Sequence, residues 1–409
     1  MSDYNINLHE AIYSLSDALD LVGVTHIHHG KRVAYMAVEF GKYLGWTRSW
    51  LDDLFQAAIL HDCGVSKTTV HAKLAQFEWE QEGEHCRIGA DLLASSPLLR
   101  HLSPIVLHHH THWSKLKDAD LPMNVKLAAN CIYMADRVDI LMLKYIADQV
   151  DILLGKEAIR KKVAEKCGEW FCRELVDAFM EVSRSEAFWF SLEANHVNSY
   201  LSIWTSETAS RNMSFGELRS IAHIFSCIVD AKSPFTREHS DRVAALARKI
   251  GELFGLSERN CEMLELAGLL HDIGKLRVPD ELLDKPGRFT ESEKITVRRH
   301  SFDTYSILRN IKGFEQVTLW ASQHHERLDG NGYPFHAKPP DLSLEARIIE
   351  TVDVFQALAQ RRPYRDSLEP DKIMDILVKE SEKGRLDPKV VEKVGAHIQE
   401  CWLTAIGGT

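Results

Sequence analysis

Apolar residues recur at intervals of three and four across residues 33–45, 51–60, 216–230, 241–253 and 257–270, the period of an amphipathic helix, whereas strand-like alternation is scarce. Helix entries are marked as well. Thr47 and Ser257 each stand fourteen residues before a His-Asp pair, and Ser214 with Glu217 has the form of a capping box. The pattern predicts an all-α chain built from two tandem helical bundles.

The two bundles read as a repeat. LFQAAILHDCG, ending at Gly64, aligns with LELAGLLHDIG, ending at Gly274, and HGKRVAYMA from His29 aligns with HSDRVAALA from His239. The interval from His29 to His61 is 32 residues, as is that from His239 to His271. Further on, His85 matches His300 and Asp136 matches Asp353. The polar stretch TSETASRNMS, residues 205–214, separates the copies, so the expected division is an N-terminal domain over 1–204, a linker at 205–214 and a C-terminal domain over 215–409.

A chain of 409 residues can bury two full cores, and 45 % hydrophobic with 26 % charged residues is ordinary globular composition. The net charge of -10 argues against a DNA or RNA polymer as partner, although a small anion needs only a local cationic pocket. With no signal-like N-terminus and no apolar run of the roughly 18 residues that span a bilayer, a cytoplasmic protein off the membrane is expected. Eight cysteines without a CxxC pair read as reduced core thiols. Histidine stands out, with 21 copies in clusters.

In the second copy the clustered donors are His239, His271, Asp272, His300, His324, His325 and Asp353. Seven nitrogen and oxygen donors exceed what one zinc takes and suit two hard or borderline ions bridged by a carboxylate and a water. Adjacent residues at a helix end diverge by about 100°, which lets Asp272 bridge two ions while His271 serves one, and His324 and His325 can divide likewise.

HDIGK at 271–275, the later His300, HHERLDGNGYP at 324–334 and DVFQALAQRRPYR at 353–365 resemble the ordered motifs of the HD-GYP phosphodiesterases over nearly the whole second domain. The resemblance implies a di-metal centre on those seven residues, iron or manganese first and nickel or magnesium after, that linearises a cyclic dinucleotide to a 5′-phosphorylated product, with a hydroxide bridging the ions as nucleophile. It implies a catalytic place for Asp272 and Lys275, phosphate contacts from Lys275, Arg362 and Arg365, and a substrate contact from Tyr333; the GYP loop could also dock a cyclase. Where some family members carry a carboxylate ligand to a third metal, this chain has Phe235, so two metals are expected. Tyr305 and Gln356 replace a usual glycine and a frequent aspartate. Tandem HD and HD-GYP order is similar to the Vibrio phosphodiesterases acting on 3′3′-cyclic GMP-AMP, which sets that substrate beside cyclic di-GMP.

The first copy keeps His29, His61, Asp62, His85, His109 and Asp136, a set that could hold metal, within a cluster that adds His108 and His110. Val65 stands where the second copy has Lys275, and HHHTHWSK contains no GYP loop, so this domain is expected to be regulatory or structural. The rival readings are a nucleotide phosphohydrolase or 5′-nucleotidase of the wider HD group, and a cyclic-dinucleotide sensor without activity. The oligomeric state is left open.

Overall fold

The computed structural model describes residues 3–22, 28–67, 83–147, 151–207, 211–233, 238–285, 287–360 and 367–407. The chain divides into one unit over Asn7–Ser210 and another comprising Met1–Ile6 with Arg211–Thr409. Almost all regular structure is helical, and among the described residues no helix is long and apolar enough to cross a membrane.

In chain order the first unit contains α1 (Leu8–Asp20), α2 (His29–Tyr43), α3 (Arg48–Leu60), α4 (Gly83–Ala94), α5 (Ser103–Leu107), α6 (Trp113–Leu116), α7 (Met123–Ala147), α8 (Ile152–Glu165), α9 (Arg173–Val182), α10 (Glu186–Phe190) and α11 (Ala194–Ser206). The second contains α12 (Phe215–Asp230), α13 (His239–Leu253), α14 (Glu258–Leu270), α15 (Asp280–Leu283), α16 (Glu291–Leu308), α17 (Glu315–Ser322), α18 (Leu344–Ala359), α19 (Pro370–Glu382), α20 (Pro388–Ala396) and α21 (Ile398–Ile406).

The repeat is visible in the local chemistry that starts and stops these helices. Thr47 and Ser257 accept hydrogen bonds from Trp50 and Asn260, capping α3 and α14. Gly45 and Gly255, at φ 73° and 72°, follow the ends of α2 and α13 in the left-handed conformation that glycine adopts at least cost. Ser214 and Glu217 form a reciprocal capping box at the start of α12. Along α2 every residue from Val33 to Phe40 but Glu39 is buried, and along α14 every residue from Cys261 to Leu270 is, Glu262 and Glu265 included, so both helices are enclosed by their own domains.

The expected linker holds more structure than its polarity suggested. Residues 205 and 206 finish α11, and Arg211–Ser214 form a strand, β2, paired antiparallel with β1 (Asp3–Ile6), with Asp3 opposite Ser214 and Ile6 opposite Arg211. The first residues of the chain thus belong with the C-terminal unit. Tyr4 and Ile6 are 3 % and 2 % exposed there, and the Tyr4 hydroxyl donates to buried Glu262 on α14 at 2.9 Å.

Two duplicated His/Asp centres, one with a lysine at its rim

In the second unit the His-Asp pair sits where α14 ends. His271 is its C-cap, and its Nδ1 donates to the Gly268 carbonyl at 2.8 Å, which fixes the tautomer and leaves Nε2 directed inward. His300 on α16 and His324 after α17 use the same device, donating to Val297 and Ala321 three residues back. His239 opens α13 just after Glu238, held at φ 63°, and donates its Nδ1 to Gln356 Oε1 at 2.5 Å. Gln356, substituting for an aspartate, therefore orients the first histidine.

The seven residues expected as ligands are brought together, with Asp272 between two groups of the others. Its Oδ2 lies 3.3 Å from His271 Nε2 and 3.7 Å from His239 Nε2, while Asp353 Oδ1 lies 3.3 Å from His239 Nε2. Its Oδ1 faces the other way, 3.5 Å from His300 Nε2 and 3.6 Å from His324 Nε2. His325 completes that second set, since the donor atoms of His300, His324 and His325 lie within 4.8 Å of one another. One carboxylate thus offers an oxygen to each of two groups of donors, at separations that suit coordination of two cations. Asp272 Oδ1 and its surroundings are buried, and that oxygen has no hydrogen-bond partner, a costly arrangement without a cation.

Electrostatics follow the same division. Burial opposes charge on Asp272, but the His271 imidazole and Lys275 ammonium outweigh it and hold the carboxyl well below the usual range. Burial also opposes the His271 imidazolium, yet Asp272 and Asp353 hold its pKa up to about 9. In the second set burial prevails, pushing His300 down to about 4 and His325 to about 3, so both stay neutral and able to ligate.

Above the centre, Lys275 donates to Asp272 Oδ2 from a partly exposed position. The Tyr333 ring packs 4.8 Å from the His325 ring, its backbone N–H donating to the His325 carbonyl at 3.1 Å. Its loop is held by Glu326, a fully buried carboxylate that accepts from the Phe335 and Ala337 amides at 2.7 and 2.9 Å. Gly332 lies so close to Glu326 that a Cβ would fall 2.4 Å from its Cα. Glu326 was not singled out in the sequence, although its place directly after the His pair was the available signal. Tyr305 packs edge-on against Phe335 beside this loop. Arg362, Arg365 and Phe235 lie outside the described residues.

The first unit repeats the centre. Asp62 Oδ2 lies 3.5 Å from His61 and 3.8 Å from His29, and its Oδ1 lies 3.5 Å from His85 and 3.8 Å from His109. Asp136 Oδ1 lies 3.3 Å from His29 Nε2, and Asp139 accepts from His29 Nδ1 at 2.7 Å in the role Gln356 has in the other unit. The His110 ring lies 4.2 Å from that of His109, tilted by 49°, within the cluster, while His108 lies beside Thr111. Val65 is buried where Lys275 stands, and Arg137 donates to Asp136 Oδ2 at 2.7 Å.

Helical bundles that gather His-Asp pairs around a shared carboxylate define a duplicated HD-domain protein. Models of the HD domain match residues 27–141 and 223–390. The chain is 36 % identical over 408 residues to 3′3′-cGAMP-specific phosphodiesterase 1 of Vibrio cholerae, covering 99 % of this chain and 95 % of that protein. It is 36 % identical over 234 residues to 3′3′-cGAMP-specific phosphodiesterase 3 of the same organism (57 % of this chain, 50 % of that one), and 40 % identical over 155 residues to the cyclic di-GMP phosphodiesterase response regulator RpfG of Xanthomonas campestris (37 % and 40 %). The crystal structure of the cyclic GMP-AMP phosphodiesterase V-cGAP3 of V. cholerae shares the fold, with a TM-score of 0.66 at 24 % identity over 96 % of this chain and 97 % of that one. The chain belongs to the HD-GYP cyclic dinucleotide phosphodiesterases that carry an additional N-terminal HD domain.

Proposed function

We propose that this metal-dependent cyclic dinucleotide phosphodiesterase opens 3′3′-cyclic GMP-AMP, and cyclic di-GMP beside it, at its C-terminal centre. The observation that carries the reading is Asp272, which turns one oxygen to each donor set while Lys275 approaches from the open side. Ligands are His239, His271, Asp272 and Asp353 for one ion and Asp272, His300, His324 and His325 for the other, with iron or manganese the natural occupants of such nitrogen and oxygen donors. Two divalent ions there would supply an activated water and neutralise charge developing on the phosphoryl group. Lys275 leaves Asp272 to meet a non-bridging phosphate oxygen as a point charge. Tyr333 lies against the substrate, held in place by Glu326 through the loop amides, and Arg362 and Arg365 serve as further phosphate contacts. The first unit, without a cation at Val65, regulates or stabilises the enzyme. Phe335, 40 % exposed beside the loop, is the surface a cyclase would meet. The enzyme works in the cytoplasm, where cyclic dinucleotides are made.

The test is to incubate manganese- or iron-loaded protein with cyclic GMP-AMP, cyclic di-GMP, cyclic di-AMP and a nucleoside monophosphate, and to separate the products. A linear 5′-phosphorylated dinucleotide is expected, formed fastest from cyclic GMP-AMP. Faster phosphate release from the mononucleotide would favour a phosphohydrolase, and binding without ring opening would favour a sensor.

A further inference from the structure

The second donor set of the N-terminal unit differs in kind from its C-terminal counterpart. His85, Cys86, His109 and His110 each offer a ligand atom, all within 4.8 Å of one another, and His85, Cys86 and His109 are at most 5 % exposed. The position of Cys86 corresponds to Ser301, whose hydroxyl lies 3.3 Å from His300 Nε2, so a polar atom faces the second-set histidine in both units. A buried cysteine commonly acts as a small apolar filler. Cys86 instead places Sγ 3.5 Å from His85 Nε2 and 4.0 Å from His109 Nε2, while those two nitrogens are 3.4 Å apart.

Two of these three lengths are close to the edges of a coordination tetrahedron, and the third is somewhat longer. Zinc bonds of about 2.05 Å to nitrogen and about 2.3 Å to sulfur give edges of about 3.4 Å between two nitrogens and about 3.6 Å between nitrogen and sulfur. His109 donates Nδ1 to the Val106 carbonyl at 2.6 Å, which leaves the Nε2 lone pair facing the cluster. Asp62 Oδ1 is buried, lacks a hydrogen-bond partner and lies on the same side, 3.5 Å from His85. The other donor set of this unit is less hospitable to a cation. Asp136 Oδ2 is engaged by the Arg137 guanidinium at 2.7 Å, and Asp139, which orients His29, is paired with Arg32 at 2.5 Å. A fixed positive charge beside Asp136 opposes a second one.

We infer that the N-terminal unit binds one metal ion through His85, Cys86, His109 and His110, a thiolate-containing site for a borderline-to-soft divalent ion, zinc foremost. Thiolate with imidazole selects zinc over the harder ions that suit the C-terminal donors. Four protein donors close the coordination shell, as in sites that hold a fold together. The site is independent of hydrolysis by the C-terminal centre.

The test uses full-length protein carrying His271→Ala and Asp272→Ala, which empties the C-terminal centre. Loaded with cobalt(II), it is expected to retain about one ion per chain and to show a thiolate-to-cobalt charge-transfer band in the near ultraviolet. Adding Cys86→Ser, which installs the side chain of the other unit at this position, should abolish the band while the circular dichroism stays helical. Adding Cys227→Ser should leave it, which separates this site from the His223, Cys227 and Asp241 cluster. Absence of cobalt, cobalt without the band, or a band that survives Cys86→Ser each overturns the inference, and none of these outcomes bears on whether the wild-type protein opens a cyclic dinucleotide.

Discussion

Replacing Gly274 by alanine adds one methyl group directly behind the reacting centre. Its Cβ would lie 2.1 Å from the His300 carbonyl oxygen and 2.9 Å from both the His300 carbonyl carbon and the Thr304 nitrogen, all of them backbone atoms. The nearest contact must open by about 0.9 Å to reach even the 3.0 Å that real side chains tolerate. That displacement falls on α16 at His300, whose Nε2 lies 3.1 Å from His324 Nε2. Metal–ligand distances hold within about 0.2 Å, so the second donor set should lose its ion. Overpacking of this kind costs about 1–3 kcal/mol of stability, and a misplacement near 1 Å costs about 10²-fold in rate. The assay measures ring opening, metal content by mass spectrometry and thermal unfolding on one preparation. Turnover should fall at least about 100-fold with loss of about one ion per chain, in a protein that remains helical. Gly64→Ala, whose Cβ would lie 2.0 Å from the His85 carbonyl oxygen, makes the same intrusion in the first unit and should leave turnover within a few-fold. Full activity and full metal content in Gly274→Ala would refute the claim that this close approach sets the ligand geometry.

Lys275→Met should lower turnover by about 10²–10³-fold with both ions retained, because it removes a charge aimed at the phosphate rather than a ligand; metal loss would make Lys275 a structural partner of Asp272 instead. Glu326→Ala frees the Phe335 and Ala337 amides and should raise KM for the cyclic dinucleotide about tenfold or more at unchanged metal content, since hydrogen bonds to a charged group contribute about 1.5–3 kcal/mol. On α12, His223 is held up to about 10, first by its hydrogen bond with Asp241. Its contribution to stability is full below the unfolded value near 6.5 and is lost as pH rises through about 10. His223→Gln should therefore destabilise by less than about 1 kcal/mol at pH 6, because the pair is part-exposed, and the gap should close above pH 10; a gap that grows with pH counts against the ion pair. Removing residues 1–6 strips Tyr4 and Ile6 from the C-terminal unit and should cost about 3–6 kcal/mol before the strand's ordering entropy is deducted, measured by denaturant unfolding; unchanged stability would mean that β1 is dispensable.

The helices and the donor sets were legible because both follow local rules. Amphipathic period, the caps at Thr47 and Ser257, and histidines at helix ends are written within a few turns of chain, and the repeat supplied each twice. The pairing of β1 with β2 was not legible. Two four-residue strands more than two hundred positions apart have no period of their own to register, and the polarity of residues 205–214 read as a linker. Glu326 escaped for a different reason, since its partners are backbone amides nine and eleven residues on, which carry no side-chain signature. Cys86 was within reach: aligning the two copies sets it opposite Ser301, and the exchange of a hydroxyl for a thiol beside a clustered histidine was the signal.

The duplication also allows two HD centres with like donor geometry to be compared. Asp62 and Asp272 share their place and their two-sided approach to histidines, so the donor geometry alone does not distinguish the units. The differences lie around it. One unit sets Lys275 on the shared carboxylate and Tyr333 on a loop that Glu326 anchors. The other sets Val65 in the first place, a guanidinium on Asp136, and a thiol among the second-set histidines. Lys275 reaches its carboxylate from a part-exposed position, whereas Arg137, 1 % exposed, is enclosed with the acid it touches. On the functions proposed above, the same fold would support turnover where a lysine reaches the shared carboxylate, and structural metal binding where the charges are already paired and a sulfur joins the donors.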